Sequence, residues 1–266
     1  CFLLGAVIPL RLKFFFSKGI LLTSLEPKNM FPIKETTSLV ISFSSELYLS
    51  LNTMQKELAI VVPCYNEADR LPFFQFENFL SLQSKISVFF VNDGSKDNTE
   101  KVLTELKNQF PNQIEVFSIT QNSGKANAVF KGIQQVLKHK KFRKVAYLDA
   151  DLATSLEECH RLSKEVKGKV VLAFGSRILK LDNQIKRKWY RFLLGRIVAT
   201  AISNTLKLSV YDSQCGCKIF EFQTAKKIFD EPFISKWLFD VEIFFRMIHL
   251  FGRSEIQNHL REIPLK

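Results

Sequence analysis

A chain of 266 residues is long enough to bury a substantial core, as one large domain or two small ones. Its composition, 46% apolar and 24% charged, is that of a globular protein and argues against a disordered chain or a repeat array. The formal charge of +12 favours anionic partners, namely nucleic acid, anionic lipid headgroups or phosphorylated substrates, with a basic solvated surface as the alternative.

The first 53 residues differ from the rest of the chain, because they run through Phe-rich and Ser-rich stretches without a regular pattern. Their apolar opening, Phe2 to Leu10, is too short to span a bilayer. The basic residues follow this opening, whereas a secretory signal has them in front. We therefore predict that residues 1–53 are an extension outside the domain, that translation starts at Met54, and that residues 54–266 form the domain. A membrane-surface anchor is the alternative for the extension.

From Glu57 onward, apolar runs of strand length alternate with segments of helical spacing. Asp97 stands where its side chain could cap the second helix. This alternation predicts an α/β fold whose mostly parallel sheet is covered by helices on both faces. In chain order, the predicted elements are a strand at 58–62, a helix at 69–83, a strand at 86–91, a helix at 97–110, a strand at 114–119, a helix at 125–138, a strand at 145–148, a helix at 155–166 and a strand at 170–174.

Two aspartates, Asp149 and Asp151, follow the fourth predicted strand. Ligands of a parallel sheet bind beyond the carboxyl ends of its strands, and two carboxylates spaced i, i+2 there can converge on one cation. Hard oxygen ligands suit Mg²⁺ or Mn²⁺. Such a metal neutralises the charge that builds on a departing diphosphate. The alternative is a chance pair of acidic residues that caps a helix.

The other strand ends also carry polar residues that suit a nucleotide. In the segment from Pro63 to Glu67, Tyr65 could pack against a base and Glu67 could hydrogen-bond to it. Asp93 could accept hydrogen bonds from a base or a ribose. Lys125 stands at a helix N-terminus, where free N–H groups favour a diphosphate. Ordinary capped turns are the alternative at each of these places.

Basic residues follow the fifth predicted strand. Arg177 ends that strand and could hold a phosphate through two parallel hydrogen bonds. A cluster of lysines and arginines then opens a predicted helix that continues to about Leu206, and its apolar part is too short to cross a bilayer. A basic start with an apolar continuation suits a membrane interface carrying anionic lipid, and a solvated basic face is the alternative. The cluster consists of Lys186, Arg187, Lys188, Arg191 and Arg196.

Five scattered cysteines indicate reduced thiols in a cytosolic compartment rather than a disulfide framework. Cys215 and Cys217 lie close together, but without a second pair or a nearby His they make a poor zinc site.

These motifs resemble those of the family 2 glycosyltransferases, which have the GT-A fold, a Rossmann-like nucleotide-diphospho-sugar transferase architecture. The resemblance covers roughly residues 57–266. In family order, the motifs are V-P-C-Y-N-E at Val62–Glu67, V-N-D-G-S at Val91–Ser95, N-S-G-K at Asn122–Lys125 and D-A-D at Asp149–Asp151.

A finer resemblance is to the dolichyl- or polyprenyl-phosphate glucosyltransferases. The usual D-T-Q-C-G-F-K pattern of that subgroup is altered here at Ser213 and Cys217. The subgroup normally continues beyond the position of Lys266, so we expect a C-terminal piece to be missing. Its eukaryotic members carry an N-terminal membrane helix, and we expect none within these 266 residues. The motifs of this resemblance are D-A-D-L-A-T at Asp149–Thr154, G-S-R at Gly175–Arg177, D-S-Q-C-G-C-K-I-F at Asp212–Phe220 and W-L-F-D-V-E at Trp237–Glu242.

The resemblance implies UDP-glucose as donor, a polyprenyl or dolichyl phosphate as acceptor, Mg²⁺ or Mn²⁺ as the metal, and an inverting, in-line displacement at the anomeric carbon. It implies a cytoplasmic protein that sits peripherally at the cytoplasmic face of a membrane. The implied roles are metal binding for Asp149 and Asp151, catalysis for Asp151, nucleotide binding for Pro63, Tyr65, Glu67, Asp93, Lys125 and Asp149, and acceptor-phosphate binding for Arg177 and Arg187.

A general base is needed for a hydroxyl acceptor, whose proton must leave as the bond forms. A phosphate monoester is already mostly deprotonated near neutral pH, since its second pKa is about 6, and positioning can then suffice. If a catalytic base exists, Asp240 is the candidate. The alternative role for Asp240 is the N-cap of a helix at 241–250.

Three other functions compete with a lipid-phosphate glucosyltransferase. A family 2 transferase acting on a sugar hydroxyl would depend strongly on a carboxylate base. A nucleotidyltransferase would want a Gly-rich basic loop after the first strand, where this chain has the Gly-free segment 63–67. A non-enzymatic nucleic-acid-binding protein lacks support, because zinc-finger and RNP patterns are absent and acidic strand ends would repel a polyanion. We therefore expect no nucleic-acid partner.

Overall fold

The computed structural model describes residues 15–17, 20–22, 56–139, 141–177 and 206–266. The chain divides into two compact units, Cys1–Asn52 and Thr53–Lys266. In the first unit, β1 (Phe15–Ser17) and β2 (Ile20–Leu22) pair in antiparallel fashion. That the domain begins at Met54 stays a prediction.

The second unit is built on one seven-stranded sheet with the order β5-β4-β3-β6-β8-β7-β9. Neighbouring strands are parallel except at β8, which is antiparallel to both of its neighbours. The strands are β3 (Lys56–Cys64), β4 (Ile86–Asp93), β5 (Ile114–Ile119), β6 (Phe142–Leu148), β7 (Leu172–Ser176), β8 (Cys217–Glu221) and β9 (Leu260–Pro264). The helices are α1 (Phe73–Leu82), α2 (Thr99–Gln109), α3 (Lys125–Lys138), α4 (Leu156–Ser163), α5 (Phe222–Ile228), α6 (Phe239–Phe251) and α7 (Ile256–His259).

Helices cover both faces of this sheet, so the predicted α/β architecture is confirmed. Successive residues of a strand point to opposite faces, and β3 accordingly supplies Val61 to one core and Ile60 to the other. The first core contains buried residues of α3, α5 and α6, and the second contains buried residues of α1, α2 and α4. A central strand buried on both faces must be apolar throughout, which is why β3 reads as a continuous apolar run.

Three predicted helix starts need correction. The helix predicted from Asp69 begins at Phe73, because Pro72 disfavours helical backbone at the residue before it. The N-cap of α2 is Asn98, and the Asp97 side chain instead accepts a hydrogen bond from the Thr99 N–H at 3.0 Å. Asp240 is not an N-cap either, because α6 begins at Phe239, one residue before it.

The predicted basic helix from Lys186 lies outside the described residues except for its end at Leu206. Within the described ranges, no helix is both long enough and apolar enough to cross a bilayer.

Candidate active site

The carboxyl ends of β3, β4 and β6 open into one cavity of about 420 Å³. Parallel neighbours in a sheet end at the same edge, so residues that are far apart in sequence meet there. All of the residues predicted to bind nucleotide and metal line this cavity: Pro63, Tyr65, Glu67, Asp93, Lys125, Asp149 and Asp151. The cavity lining does not include Arg177 or Asp240, and Arg187 lies outside the described residues.

Asp149 directly follows β6, and its carboxylate pairs with Lys125. Its Oδ1 forms an ion pair with Lys125 Nζ at 2.6 Å, and the Asp149 side chain as a whole is 32% exposed. Its backbone N–H donates to the Gly216 carbonyl at 3.0 Å. A Cβ added to Gly216 would overlap this carboxylate, at 2.9 Å from Oδ1 and closer still to Oδ2. Only glycine therefore fits opposite Asp149.

Asp151 lies at the rim of the cavity because the chain turns sharply after β6. Leu152 adopts a left-handed φ of 49°, which is uncommon for a residue with a side chain. The exposed Asp151 side chain accepts a hydrogen bond from the Ala153 N–H at 3.0 Å through Oδ1. Strain of this kind clusters at functional sites.

The two aspartates suit a divalent cation that arrives with a diphosphate. Within the described ranges, no group of three or more His, Cys, Asp or Glu side chains could hold a metal alone. Mg²⁺ does not need such a group, since one or two carboxylates plus substrate phosphates usually hold it. Both carboxylates line the cavity, and carboxylate oxygens are the hard ligands that such a cation prefers.

Asp93 holds the loop before α3 in place. Its buried carboxylate accepts hydrogen bonds from Ser123 N at 2.9 Å, Ser123 Oγ at 2.7 Å and Gly124 N at 2.8 Å. Lys125 follows directly, so these bonds fix where the ammonium group enters the cavity. The sequence does not indicate this role, because the partners lie about thirty residues away. Binding of a base or ribose by Asp93 stays a prediction.

Tyr65 and Glu67 form the wall that follows β3. The Tyr65 ring is 39% exposed, which leaves a face available for stacking. Glu67 pairs with Arg70 at 3.0 Å, and its backbone N–H donates to Thr99 Oγ1. Burial raises the pKa of the Glu67 carboxyl, Arg70 opposes that change, and the nearby Asp151 carboxylate adds to it.

Arg177 contacts a carboxylate rather than an open cavity. Its Nε and Nη2 donate to the two oxygens of Asp212 at 2.8 and 3.0 Å, and Nη2 also donates to the Gln214 carbonyl. Burial alone would raise the pKa of Asp212, but the hydrogen bonds and charge of Arg177 outweigh it and lower this pKa. The Asp212 N–H donates to Glu262, so the pair ties the end of β7 to β9.

Asp240 lies in a buried ion pair that sequence analysis missed. Lys218 is fully buried, and its Nζ donates to Asp240 Oδ1 at 2.6 Å and to the Cys215 carbonyl at 2.9 Å. The Tyr147 hydroxyl donates to the same Asp240 oxygen. Burial and then the Asp240 carboxylate raise the pKa of Tyr147, so it stays protonated and can donate. The signal in the sequence is a lysine inside the apolar run that forms β8.

The four described cysteines, Cys64, Cys159, Cys215 and Cys217, are free and buried. Burial raises the pKa of Cys215 to about 11, and only the thiolate is reactive. We therefore expect these four thiols to react slowly with a disulfide reagent at pH 8, whereas all five thiols of the chain react in denaturant. Rapid labelling of two or more thiols in the native protein would contradict this burial.

Comparisons with known proteins agree with the geometry. Residues 59–229 match the family described as Glycosyl transferase family 2. The chain is 31% identical over 203 residues to the dolichyl-phosphate beta-glucosyltransferase of Dictyostelium discoideum, a match that covers 71% of this chain and 61% of that protein. It is 29% identical over 206 residues to the Homo sapiens protein of the same name, covering 71% and 62%. The match thus spans less than two thirds of either relative.

The fold also matches a solved structure. Glucosyl-3-phosphoglycerate synthase from Mycobacterium tuberculosis, in complex with Mn²⁺, UDP and glucosyl-3-phosphoglycerate, superposes with a TM-score of 0.57 at 14% identity. The superposition covers 79% of this chain and 70% of that one. The predicted GT-A fold is therefore confirmed. With the family match over residues 59–229 and the relative at 31% identity, the chain belongs to glycosyl transferase family 2.

Proposed function

We propose that this protein is an inverting glucosyltransferase that moves glucose from UDP-glucose to a dolichyl or polyprenyl phosphate at the cytoplasmic face of a membrane. The observation that carries the proposal is the meeting of Asp149, Asp151 and Lys125 in one cavity at the carboxyl edge of a family 2 fold. The names of the relatives at 29–31% identity support the choice of donor sugar and acceptor.

The donor binds to residues at the ends of β3, β4 and β6 and to Lys125 at the start of α3. Asp149 and Asp151 would hold Mg²⁺ or Mn²⁺ together with the diphosphate, and the crystallised mycobacterial neighbour, which contains Mn²⁺ and UDP, supports this choice. When bound, the cation neutralises charge on the leaving diphosphate. Lys125, at the first residue of α3, adds a positive charge at a helix N-terminus, where phosphate binding is favoured. Tyr65 stacks on the base, and Glu67 and Asp93 orient the nucleoside.

The acceptor needs orientation more than activation. A phosphate monoester is already an anion near neutral pH, so its oxygen can attack the anomeric carbon without losing a proton to the protein. Attack in line with the departing UDP inverts the anomeric configuration. We assign acceptor-phosphate binding to Arg187, whereas Arg177 is already paired with Asp212, and Asp240, paired with Lys218, is not required as a base.

The first experiment measures release of UDP from UDP-glucose with Mg²⁺ present, using a short polyprenyl phosphate and the matching free alcohol as acceptors. We expect turnover with the phosphate alone. Turnover with the alcohol instead would indicate a family 2 transferase that acts on hydroxyl groups. Failure of UDP to bind in a metal-dependent way would contradict the transferase itself.

Asp149→Asn and Asp151→Asn test the metal ligands. Each change removes one negative charge and keeps the shape of the side chain, so we expect metal-dependent UDP binding to be lost and transfer to fall by roughly a hundredfold or more. Calorimetric titration of UDP with and without Mn²⁺ measures the effect. Glu105→Gln, an exposed position on α2, is the matched control and should keep normal affinity. Unchanged affinity in both aspartate variants would overturn the metal assignment.

A further inference from the structure

Four exposed apolar side chains lie within residues 234–245, the segment that leads into α6 and the first two turns of that helix. Ile234 is 94% exposed and Trp237 is 86% exposed, and Leu238 and Phe245 are 46% and 60% exposed. Leu238 is the N-cap of α6, and Phe245 lies seven residues further along, about two turns into the helix on the same side. Single exposed apolar residues are ordinary, but a group of four that includes a tryptophan marks a contact surface. We call these four residues the apolar tip.

Two side chains of α6, Glu242 and Arg246, fix the backbone of residues 231–235, which lead into the tip. Glu242 Oε2 accepts hydrogen bonds from Ile234 N at 3.0 Å and Ser235 N at 3.1 Å. Arg246 donates to the Glu231 and Pro232 carbonyls, each at 2.6 Å. Because the backbone is fixed by these side chains, the exposed tip is a built feature of the fold.

Phe233 fixes which side chains point inward. Its ring packs against Phe229 at 5.4 Å and Phe239 at 5.5 Å between centroids. The next residue, Ile234, is almost fully exposed. One side of the segment is therefore part of the core, and the other side is left to solvent.

The tip borders the candidate active site. Phe239 follows Leu238 directly, and its ring centroid lies 6.0 Å from Lys125 Nζ, the ammonium group that lines the cavity. Phe239 also packs against Tyr147, two residues before Asp149 on the same stretch of chain. A surface that contacts the tip would thus be brought near the carboxyl edge of the sheet.

We propose that the apolar tip docks this protein on an anionic lipid bilayer, with Trp237 and Ile234 inserted at the headgroup–acyl boundary. The proposal rests on the proposed function, since a lipid-phosphate acceptor presents its phosphate at that boundary. Tryptophan favours this depth because its ring is amphipathic. Lys236 lies between the two inserted residues, and the net charge of +12 of the whole chain, which already counts the exposed Asp230 and Glu231 before the tip, complements anionic lipid.

The small size of the tip favours a bilayer over a protein partner. A stable protein interface buries about 800 Å² on each side. Even at about 250 Å² for each side chain, the exposed fractions of 94, 86, 46 and 60% leave roughly 700 Å² of tip surface, which falls short of that area. Membrane binding accumulates from a few inserted side chains and nearby charges, so it does not need a large complementary surface.

Co-sedimentation of the full chain with vesicles tests the proposal. The vesicles contain phosphatidylcholine with about a third phosphatidylserine and no acceptor lipid. We expect Ile234→Ser/Trp237→Ser to bind at least tenfold more weakly than the wild type. Phe74→Ser/Leu82→Ser is the matched control, because these side chains of α1 are also exposed, at 74% and 80%, and should leave binding unchanged. Equal binding by both double variants, or no binding by the wild type, would overturn the proposal.

Two further measurements separate this proposal from its alternatives. Sedimentation velocity without vesicles should show the same oligomeric state for the wild type and Ile234→Ser/Trp237→Ser. A wild type that self-associates, with a variant that is monomeric, would mean that the tip contacts a second copy of the chain and would overturn bilayer docking. Metal-dependent UDP binding should be unchanged in the variant. If the wild type binds vesicles through the tip but transfers no glucose, the proposed function is wrong and the bilayer-docking surface is still supported.

Discussion

Gly216→Ala is expected to abolish metal-dependent UDP binding and to lower transfer by roughly a hundredfold or more. A Cβ at this position would overlap the Asp149 carboxylate, and rotation of the carboxylate away from it would break the 2.6 Å contact with Lys125 Nζ. The alternative movement would pull β8 from β6 and stretch the 3.0 Å hydrogen bond from Asp149 N to the Gly216 carbonyl. Either response displaces the oxygens that we assign to the metal. Calorimetric titration of UDP with Mn²⁺ measures the loss directly.

Gly168→Ala is the control for this change, because it makes the same substitution far from any close contact. A Cβ at Gly168 meets no atom within 4 Å, but its φ of +60° is unfavourable for alanine. We expect a loss of stability of about 1 kcal/mol and normal UDP affinity. UDP affinity of Gly216→Ala within twofold of the wild type would show that the carboxylate does not need this close approach.

The predicted alternation located β3 to β7, the five strands of the second unit that precede residue 178, because buried strands need continuous apolar runs, and it did not include β1 and β2. It missed β8, whose five residues include a lysine. A charged residue inside a short apolar run breaks the pattern, and only the partner across space explains it. Helix starts were less predictable, since Pro72 and Asn98 fix them through local backbone geometry.

The candidate site was predictable where strand ends alone determine position. Asp149, Asp151 and Lys125 meet because parallel strands end at one edge. The partners of Arg177 and Asp240 were not predictable, since Asp212 lies 35 residues from Arg177, and Tyr147 lies 93 residues from Asp240. The sequence identifies Arg177 as able to bind a phosphate and Asp240 as able to accept a proton. Only the fold shows that Arg177 is already paired with Asp212 and Asp240 with Lys218.

Lys218→Met is expected to destabilise the protein by about 3–5 kcal/mol, because it leaves the Asp240 carboxylate buried without its counter-charge. Methionine keeps the length and apolar character of the lysine stem, so the loss reports the charge. Urea unfolding followed by circular dichroism measures the change. Lys141→Met is the matched control: its side chain is 40% exposed and 4.0 Å from Glu115, and such surface pairs contribute about 0–1 kcal/mol.

The double variant Lys218→Met/Asp240→Asn separates charge balance from catalysis by Asp240. Asparagine is neutral and can still accept the hydrogen bond from Tyr147, so we expect the double variant to regain at least about 1–2 kcal/mol over Lys218→Met. Asp240→Asn alone leaves Lys218 as the unpaired charge, and a loss of transfer there has two explanations. If Asp240 balances charge, transfer to a lipid phosphate recovers in the double variant together with stability. If Asp240 is the general base, the double variant regains stability but not transfer, because it still has no carboxylate at position 240.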